Sequence, residues 1–321
     1  MKVRQICMMV LLGLGVIPAM QAQTFDKLWK EVEQAEKKSL PKTVIKLTDE
    51  IYQKGEKERN SAQMLKAYMW RMKTQDILTP DSFYVGLRDL EQWAKQTKQP
   101  MDRAILHSLI AEFYANYAAD NQWQLRQRTE IVGETPSADI REWTANMFVE
   151  KVRTNVKEAL ADSLLLLKTS SRNYIPFVEL GETSEYYHHD MYHLLASRAI
   201  RALNQIERLE RGSFNGITAS PVKQDIINIY ERMTDAYETA GLKEGYVLTM
   251  LQYLEWKRDN DNKLQPVQLK KGLGEWTADT YNAALDELKR QFKSEPICAE
   301  VYLAQVRYAV EKMQQDRKSV V

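Results

Sequence analysis

The stretch EYYHHDMYHLLASRAIRALNQIERLER, residues 185–211, carries the longest uninterrupted helical pattern in the chain. Apolar side chains recur along it at steps of three or four residues: Tyr187, Met191, Leu195, Ala199, Ala202, Ile206 and Leu209. This spacing is typical of an α-helix that buries one face. No Pro or Gly interrupts the stretch, and Gly212 can cap its end. The pattern predicts a long central helix over Glu185–Arg211, with helical hairpins on both sides.

Similar patterns fill most of the chain and are separated by residues that start or stop helices. A Pro or a capping side chain stands at the expected beginning of several helices, namely at Pro41, Asn60, Thr79-Pro80, Pro100 and Ser220-Pro221. Pro is tolerated there because the first helical turn has unpaired N–H groups, and polar side chains accept hydrogen bonds from them.

Four other segments complete this interpretation of the chain. Asp139–Ala161 is predicted to be helical and Leu164–Leu167 to be buried core. Asp120–Ser137 and Asp259–Gly274 contain Gly and Pro and are predicted to be a loop and a mobile linker.

No strand pattern competes with helix, so the sequence predicts an all-α fold. The separation of Pro41 and Pro80 lies in the range of helix-turn-helix repeats. We therefore expect helical hairpins stacked as a degenerate, tetratricopeptide-like α-solenoid. The predicted organisation is a signal peptide at 1–22, N-terminal hairpins at 23–133, and C-terminal hairpins around the central helix at 134–321. The two sets of hairpins could also form one continuous array.

The N-terminus has the pattern of a secretory signal peptide. Lys2 and Arg4 precede the apolar stretch Ile6–Ile17, which is too short to span a bilayer, and a cleavage site follows at Ala22. We expect export to the periplasm or cell envelope, without a membrane span after cleavage. Only Cys298 would then remain, which excludes an internal disulfide.

The charge balance argues against nucleic acid as a partner. The chain has 45 basic and 44 acidic residues, a formal net charge of +1, and the two signs are interspersed. Binding of a phosphate backbone favours a basic patch or stripe, and the sequence contains none.

His188, His189 and His193 form the one cluster that suggests chemistry. His189 and His193 are one helical turn apart, a spacing that allows two imidazoles to share a zinc ion. The metalloprotease motif requires Glu after its first His, but Asp190 stands there. We therefore prefer hydrogen bonding at a helix–helix seam and expect no metal, cofactor or catalytic residue. A zinc-dependent hydrolase using His189 and His193 is the lesser alternative.

Large aromatic residues recur at helical spacing beside aliphatic ones: Trp29, Tyr52, Trp93, Trp143 and Trp256. We expect them in the core. The alternative is an aromatic concave face that binds a partner, as repeat arrays can present.

Several phrases resemble the N-terminal helical region of large bacterial alpha-2-macroglobulin-like proteins. They are Phe25–Trp29, Leu47–Tyr52, Thr79–Tyr84, Ala138–Trp143 and His189–Arg198. The resemblance covers nearly the whole chain after the signal peptide.

The resemblance implies an envelope protein related to inhibitors that trap attacking proteases after a bait segment is cut. The macroglobulin domains and the bait region are absent from this sequence. In Cys298-Ala299-Glu300-Val301, Val301 stands where the family's thioester needs glutamine, so Cys298 is expected to be a small buried residue. None of the family's functional residues is carried over.

The sequence thus predicts a non-catalytic scaffold or interaction module of the envelope, and a fragment of such an inhibitor. Its partner would be a protein or peptide, including the missing macroglobulin domains of a full-length form. The alternative is an independent peptide- or protein-binding repeat protein.

Overall fold

The computed structural model describes residues 17–79, 83–129, 136–179, 190–210, 220–260 and 278–319. Within these ranges the chain forms thirteen α-helices and two 3-10 helices, and no β-strand. The α-helices are α1 (Ile17–Lys37), α2 (Pro41–Glu58), α3 (Ser61–Leu78), α4 (Phe83–Gln96), α5 (Pro100–Asp120), α6 (Gln122–Gln127), α7 (Ala145–Ala159), α8 (Ser163–Lys168), α9 (Met191–Glu207), α10 (Pro221–Thr239), α11 (Lys243–Asn260), α12 (Ala278–Gln291) and α13 (Cys298–Ser319). The 3-10 helices are Ile140–Glu142 and Ser171–Tyr174. The all-α prediction is confirmed, while the solenoid arrangement stays a prediction.

Two compact units make up the chain. The first comprises residues 1–103 and 170–181, and the second comprises residues 104–169 and 182–321. The predicted boundary between residues 133 and 134 lies outside the described residues and stays a prediction. So does most of the predicted linker, because residues 261–277 are not described.

The first unit is built on helices α1, α2 and α3, which pack on their neighbours in the chain. Its core contains Phe25, Trp29, Val32, Ala35, Val44, Ile51 and Ala67. The predicted helix starts at Pro41 and Asn60 are confirmed. Pro41 is the first residue of α2, and Asn60 Oδ1 accepts a hydrogen bond of 3.2 Å from the N–H of Gln63 in α3.

The second unit is organised around α9, which packs against α7, α8 and α10. The predicted apolar stripe is buried from Met191 onward, at Met191, Leu195, Ala199, Ala202, Ile206 and Leu209, whereas Tyr187 lies outside the described residues. Helix α10 begins at Pro221 as predicted, and Ser220 Oγ accepts a hydrogen bond of 3.0 Å from the N–H of Lys223. Burial of each large aliphatic side chain in such a seam stabilises the fold by about 1.5–3 kcal/mol.

The predicted bounds of the central helix are wrong at both ends. Helix α9 has 17 residues and begins at Met191, whereas α13 has 22 and α1 and α5 have 21 each. It begins late because Asp190 has an extended backbone (φ −89°, ψ 155°) and its carboxylate accepts a hydrogen bond of 2.7 Å from the N–H of His193. Asp190 is therefore the N-cap of α9, not a residue within the helix.

The connections also differ from prediction. Thr79 caps the end of α3, and the rest of the predicted start signal, Pro80-Asp81, lies outside the described residues. The predicted loop at 120–137 contains the short helix α6. In the predicted helix 139–161, a 3-10 turn capped by Asp139 comes first, and α7 starts at Ala145, because Trp143 has an extended backbone (φ −69°, ψ 148°).

A further correction concerns the predicted apolar core at Leu164–Leu167. This segment belongs to α8, whose single turn and a half buries Leu166 but leaves Leu164 66% exposed. Six residues form too short a helix to bury more than one side.

Among the described residues, no helix has both the length and the apolar composition needed to cross a bilayer.

Candidate functional site

A cavity of about 610 Å³ lies in the second unit along one side of α9. Five of its lining residues belong to this helix, namely Ser197, Ile200, Arg201, Asn204 and Gln205, and a sixth, Arg208, directly follows it. Helices α5, α6, α10 and α11 each contribute one more, namely Ala119, Gln122, Tyr230 and Gln252. The volume falls within the range of ligand pockets.

The sequence of α9 explains why it presents this row. The lining residues recur at steps of three and four, so they share one face of the helix. The apolar stripe that includes Leu195, Ala199 and Ile206 occupies the opposite side and is buried in the core. One face of α9 therefore packs in the core of the second unit, and the opposite face lines the cavity.

Hydrogen bonds to three neighbouring helices hold this face in position. Trp256 Nε1 of α11 donates to Asn204 Oδ1 at 3.0 Å, and Gln205 Nε2 donates to Asn116 Oδ1 of α5 at 2.9 Å. Arg126 Nη2 of α6 donates to the backbone oxygen of Arg208 at 2.9 Å. The lining is therefore fixed by contacts on either side of α9.

The start of α9 is fixed by a second set of contacts. The hydroxyl of Tyr237 in α10 donates to the Asp190 carboxylate, at 3.0 and 3.1 Å from its two oxygens. Asp190 is 4% exposed and Tyr237 is fully buried. Burial, followed by the charge of Asp190, raises the pKa of Tyr237, so this phenol remains a donor at physiological pH.

The cavity lining carries positive charge. It contains the guanidinium groups of Arg201 and Arg208, and none of its ten residues is acidic. On the neighbouring part of α9, Arg198 forms an ion pair with Glu112 of α5. Burial nevertheless raises the pKa of Glu112, against the opposing charges of Arg198 and Arg201. Burial also raises the pKa of Tyr230 to about 12, so its phenol is neutral.

This set of side chains is suited to binding. Guanidinium and amide groups supply hydrogen-bond donors for carboxylates and for peptide backbone. Ser197 is the one aliphatic hydroxyl among the ten lining residues, and no His or carboxylate accompanies it there as a base. An activated nucleophile requires such a base within hydrogen-bond reach.

The histidine cluster predicted from sequence is only partly described. His188 and His189 lie outside the described residues. Burial lowers the pKa of His193, although the charge of Asp190 acts in the opposite direction. Asp190 caps α9 and accepts from Tyr237. In the described part of the chain, no group of three His, Cys, Asp or Glu side chains could hold a metal ion.

The other residues singled out by sequence lie mainly in the core. Trp29, Trp143 and Trp256 are buried, as predicted, and Tyr52 and Trp93 are partly buried. Cys298 is also buried, with its Sγ 3.7 Å from the backbone oxygen of Lys289. The cavity is polar and basic, with Tyr230 as the sole aromatic residue among its lining, and so differs from the aromatic face considered above.

Comparisons with known proteins found no relative of this chain. No family model, no curated protein and no solved structure matches the chain. Function must therefore be argued from the cavity and from the sequence itself.

Proposed function

We propose that this chain is a non-catalytic helical interaction module of the cell envelope, and that it binds a protein partner at the cavity along α9. The observation that carries this proposal is the lining itself. Two guanidinium groups and four amide side chains face a cavity of about 610 Å³, and no base accompanies the one serine there. Guanidinium and amide groups that converge on a concave surface can bind the carboxylates and the backbone of a partner protein.

The proposed location rests on the N-terminal pattern. Lys2 and Arg4, the apolar stretch that follows them and the small residue Ala22 are the parts of a secretory signal. We expect protein recovered from the periplasm to begin at Gln23, as N-terminal sequencing would show. Protein that keeps Met1 and stays in the cytoplasm would contradict this location.

The resemblance to alpha-2-macroglobulin-like proteins suggests two sources for the partner. In the first, the partner is a macroglobulin domain of a larger inhibitor, and this chain is a scaffold related to the inhibitor's leading region. In the second, the chain is an independent module with a separate partner. Both uses are non-catalytic and both need a surface such as the α9 cavity.

Site-specific photocrosslinking in the cell envelope tests the proposal. A benzophenone amino acid replaces Gln122 or Gln252, which line the cavity, or Gln92, an exposed glutamine of α4 that serves as the matched control. We expect one covalent adduct from both cavity positions and none from position 92. The mass of the captured protein then decides between a macroglobulin domain and a separate partner.

A space-filling variant completes the test. Ser197→Trp places an indole in the cavity without changing charge, and Gln92→Trp adds the same indole at an exposed position of α4, also without changing charge. The purified partner should bind Ser197→Trp at least about tenfold more weakly than wild type, a loss of about 1.4 kcal/mol. Equal binding by both variants, or crosslinks from Gln92 alone, would contradict the proposal.

A further inference from the structure

Helix α13 presents an uncovered apolar face. Five large hydrophobic side chains of this helix are exposed, more than in any other described helix. Four of them are between 41% and 59% exposed and recur at steps of three, four and three residues: Leu303, Val306, Val310 and Met313. A contiguous apolar face marks an interaction surface, whereas scattered single hydrophobic residues do not.

The opposite face of α13 packs into the second unit. Val301 is fully buried there, and Gln305 Nε2 donates to Asp286 Oδ1 of α12 at 2.8 Å. The ring centre of Tyr308 lies 4.9 Å from that of Tyr281, also in α12. At about 100° per residue, this packed face and the apolar row lie on opposite sides of the helix. The apolar row is therefore accessible to a partner without rearrangement of the unit.

The spacing of the apolar row favours an α-helix as its partner. Steps of three and four residues correspond to positions a and d of a heptad, which meet in a two-helix coiled coil. Ala299, also exposed, extends the row by one step, so that it spans about 21 Å from Ala299 to Met313. A free peptide of this length is only marginally helical. Helix α13 is already held by α11 and α12, so its association does not carry the cost of helix formation.

Two charged residues on one flank of the apolar row favour a second copy of this chain as the partner. Glu300 and Arg307 lie one heptad apart and form no ion pair with a described residue. In an antiparallel pair of α13 helices, Leu303 of one copy can pack against Val306 of the other. Glu300 and Arg307 of the other copy then differ in level by two residues, which is about 3 Å along the axis. In a parallel pair the corresponding flanks lie on opposite sides of the apolar row, so these charges would not meet.

We propose that the chain forms an antiparallel homodimer in which the apolar row of α13, residues 299–313, packs against the same row of a second copy. Two-fold symmetry closes this contact after two copies and forms the pair between Glu300 and Arg307 twice. None of the residues that line the α9 cavity belongs to α13. The inference therefore concerns a separate surface, and it can fail while the proposed function stands.

Sedimentation velocity of the full chain at increasing concentration tests the inference. We expect reversible conversion of monomer to dimer. Val306→Glu places a charge at the centre of the apolar row and should raise the dissociation constant of the dimer at least about a hundredfold. The matched control, Val85→Glu, makes the same substitution at an exposed valine of α4 and should dimerise as wild type does. Circular dichroism should give all these proteins the same helical signal.

Charge reversal tests the antiparallel arrangement. Glu300→Arg alone and Arg307→Glu alone each set like charges against one another and should raise the dissociation constant about tenfold. The double variant restores opposite charges with their signs exchanged, so its dissociation constant should return close to that of wild type. Recovery of this kind requires that the two residues meet across the dimer.

Three results would overturn the inference. The first is a wild-type chain that stays monomeric up to about 100 μM, which would leave the apolar row to a different protein. The second is a dimer that Val306→Glu does not weaken, because the copies would then meet through another surface. The third is a double charge variant that dimerises no better than the single variants, which would contradict the antiparallel pairing.

Discussion

Removal of the Asp190 carboxylate should loosen the start of α9, the helix that lines the cavity. The Asp190 carboxylate accepts from the N–H of His193 at 2.7 Å and from the hydroxyl of Tyr237 at 3.0 and 3.1 Å. Loss of an N-cap costs about 0.5–2 kcal/mol. A hydroxyl on the fully buried Tyr237 that has lost its acceptor costs about 1–3 kcal/mol more. We expect Asp190→Ala to lower the free energy of unfolding by about 2–4 kcal/mol.

Two further variants separate the cost of the lost N-cap from the cost of the lost acceptor for the Tyr237 hydroxyl. Asp190→Asn keeps a good capping oxygen, so we expect it to cost less than about 1 kcal/mol. Tyr237→Phe removes the hydroxyl, so the combination with Asp190→Ala leaves no buried hydroxyl without an acceptor. The double variant should therefore be more stable than the sum of the two single effects predicts.

Urea unfolding followed by circular dichroism gives these free energies, and hydrogen exchange locates the effect. In Asp190→Ala, the amides of the first turn of α9 should exchange faster, with the N–H of His193 among them. A change in unfolding free energy below about 0.5 kcal/mol, the usual size of a surface substitution, would refute the assigned role of Asp190.

Three other predictions follow from the second unit. Burial lowers the pKa of His193 below 6.5, so the unfolded chain binds a proton at this residue more readily than the folded chain does. The contribution of neutral His193 to stability is therefore complete above about pH 6.5 and is lost as the pH falls. His193→Gln should reduce the loss of stability in acid, and a pH profile of stability equal to that of wild type would contradict this. Gly245→Ala should lower the free energy of unfolding, measured in urea, by about 1–3 kcal/mol, because a Cβ there would lie 2.5 Å from Cδ1 of Tyr237. A thermal midpoint equal to that of wild type would argue against this close approach. Elemental analysis of protein purified without chelator should find well below about one zinc per chain, because the Asp190 carboxylate already accepts hydrogen bonds from His193 and Tyr237. Stoichiometric zinc that is lost in His189→Ala would instead support the hydrolase hypothesis.

Local signals in the sequence were sufficient to predict most of the long helices and several of their ends. Pro41 and Pro221 begin helices, and Asn60 and Ser220 cap them, because these preferences act within one turn of the chain. The apolar stripe of α9 was also predictable, since its period of three to four residues reports directly on burial.

Features that depend on distant residues were not predictable in this way. The apolar pattern continues across Asp190, so it hid a helix start that Tyr237 of α10 helps to fix. Helix α6 has six residues, too few for a periodic signal, although its Leu125 is buried. For these elements, tertiary contacts override the local pattern.

The candidate site also could not be predicted from the local sequence pattern. Arg201 and Arg208 are visible on one face of the predicted central helix, but polar residues on a helix face are usually solvated. They line a cavity only because α5, α6, α10 and α11 surround this part of α9. The histidines drew attention because their spacing matches a known ligand pattern, whereas a cavity shared by five helices has no sequence motif.

We propose that the chain acts by binding a protein partner at the α9 cavity. Hydrogen exchange of the full chain, with and without the partner identified by crosslinking, tests it most directly. We expect partner binding to slow exchange in α9 between Ser197 and Arg208 and in α11 around Gln252, and Ser197→Trp to abolish this protection. Protection confined to α2, α3 and α4, or unchanged exchange along α9 at saturating partner, would contradict the account.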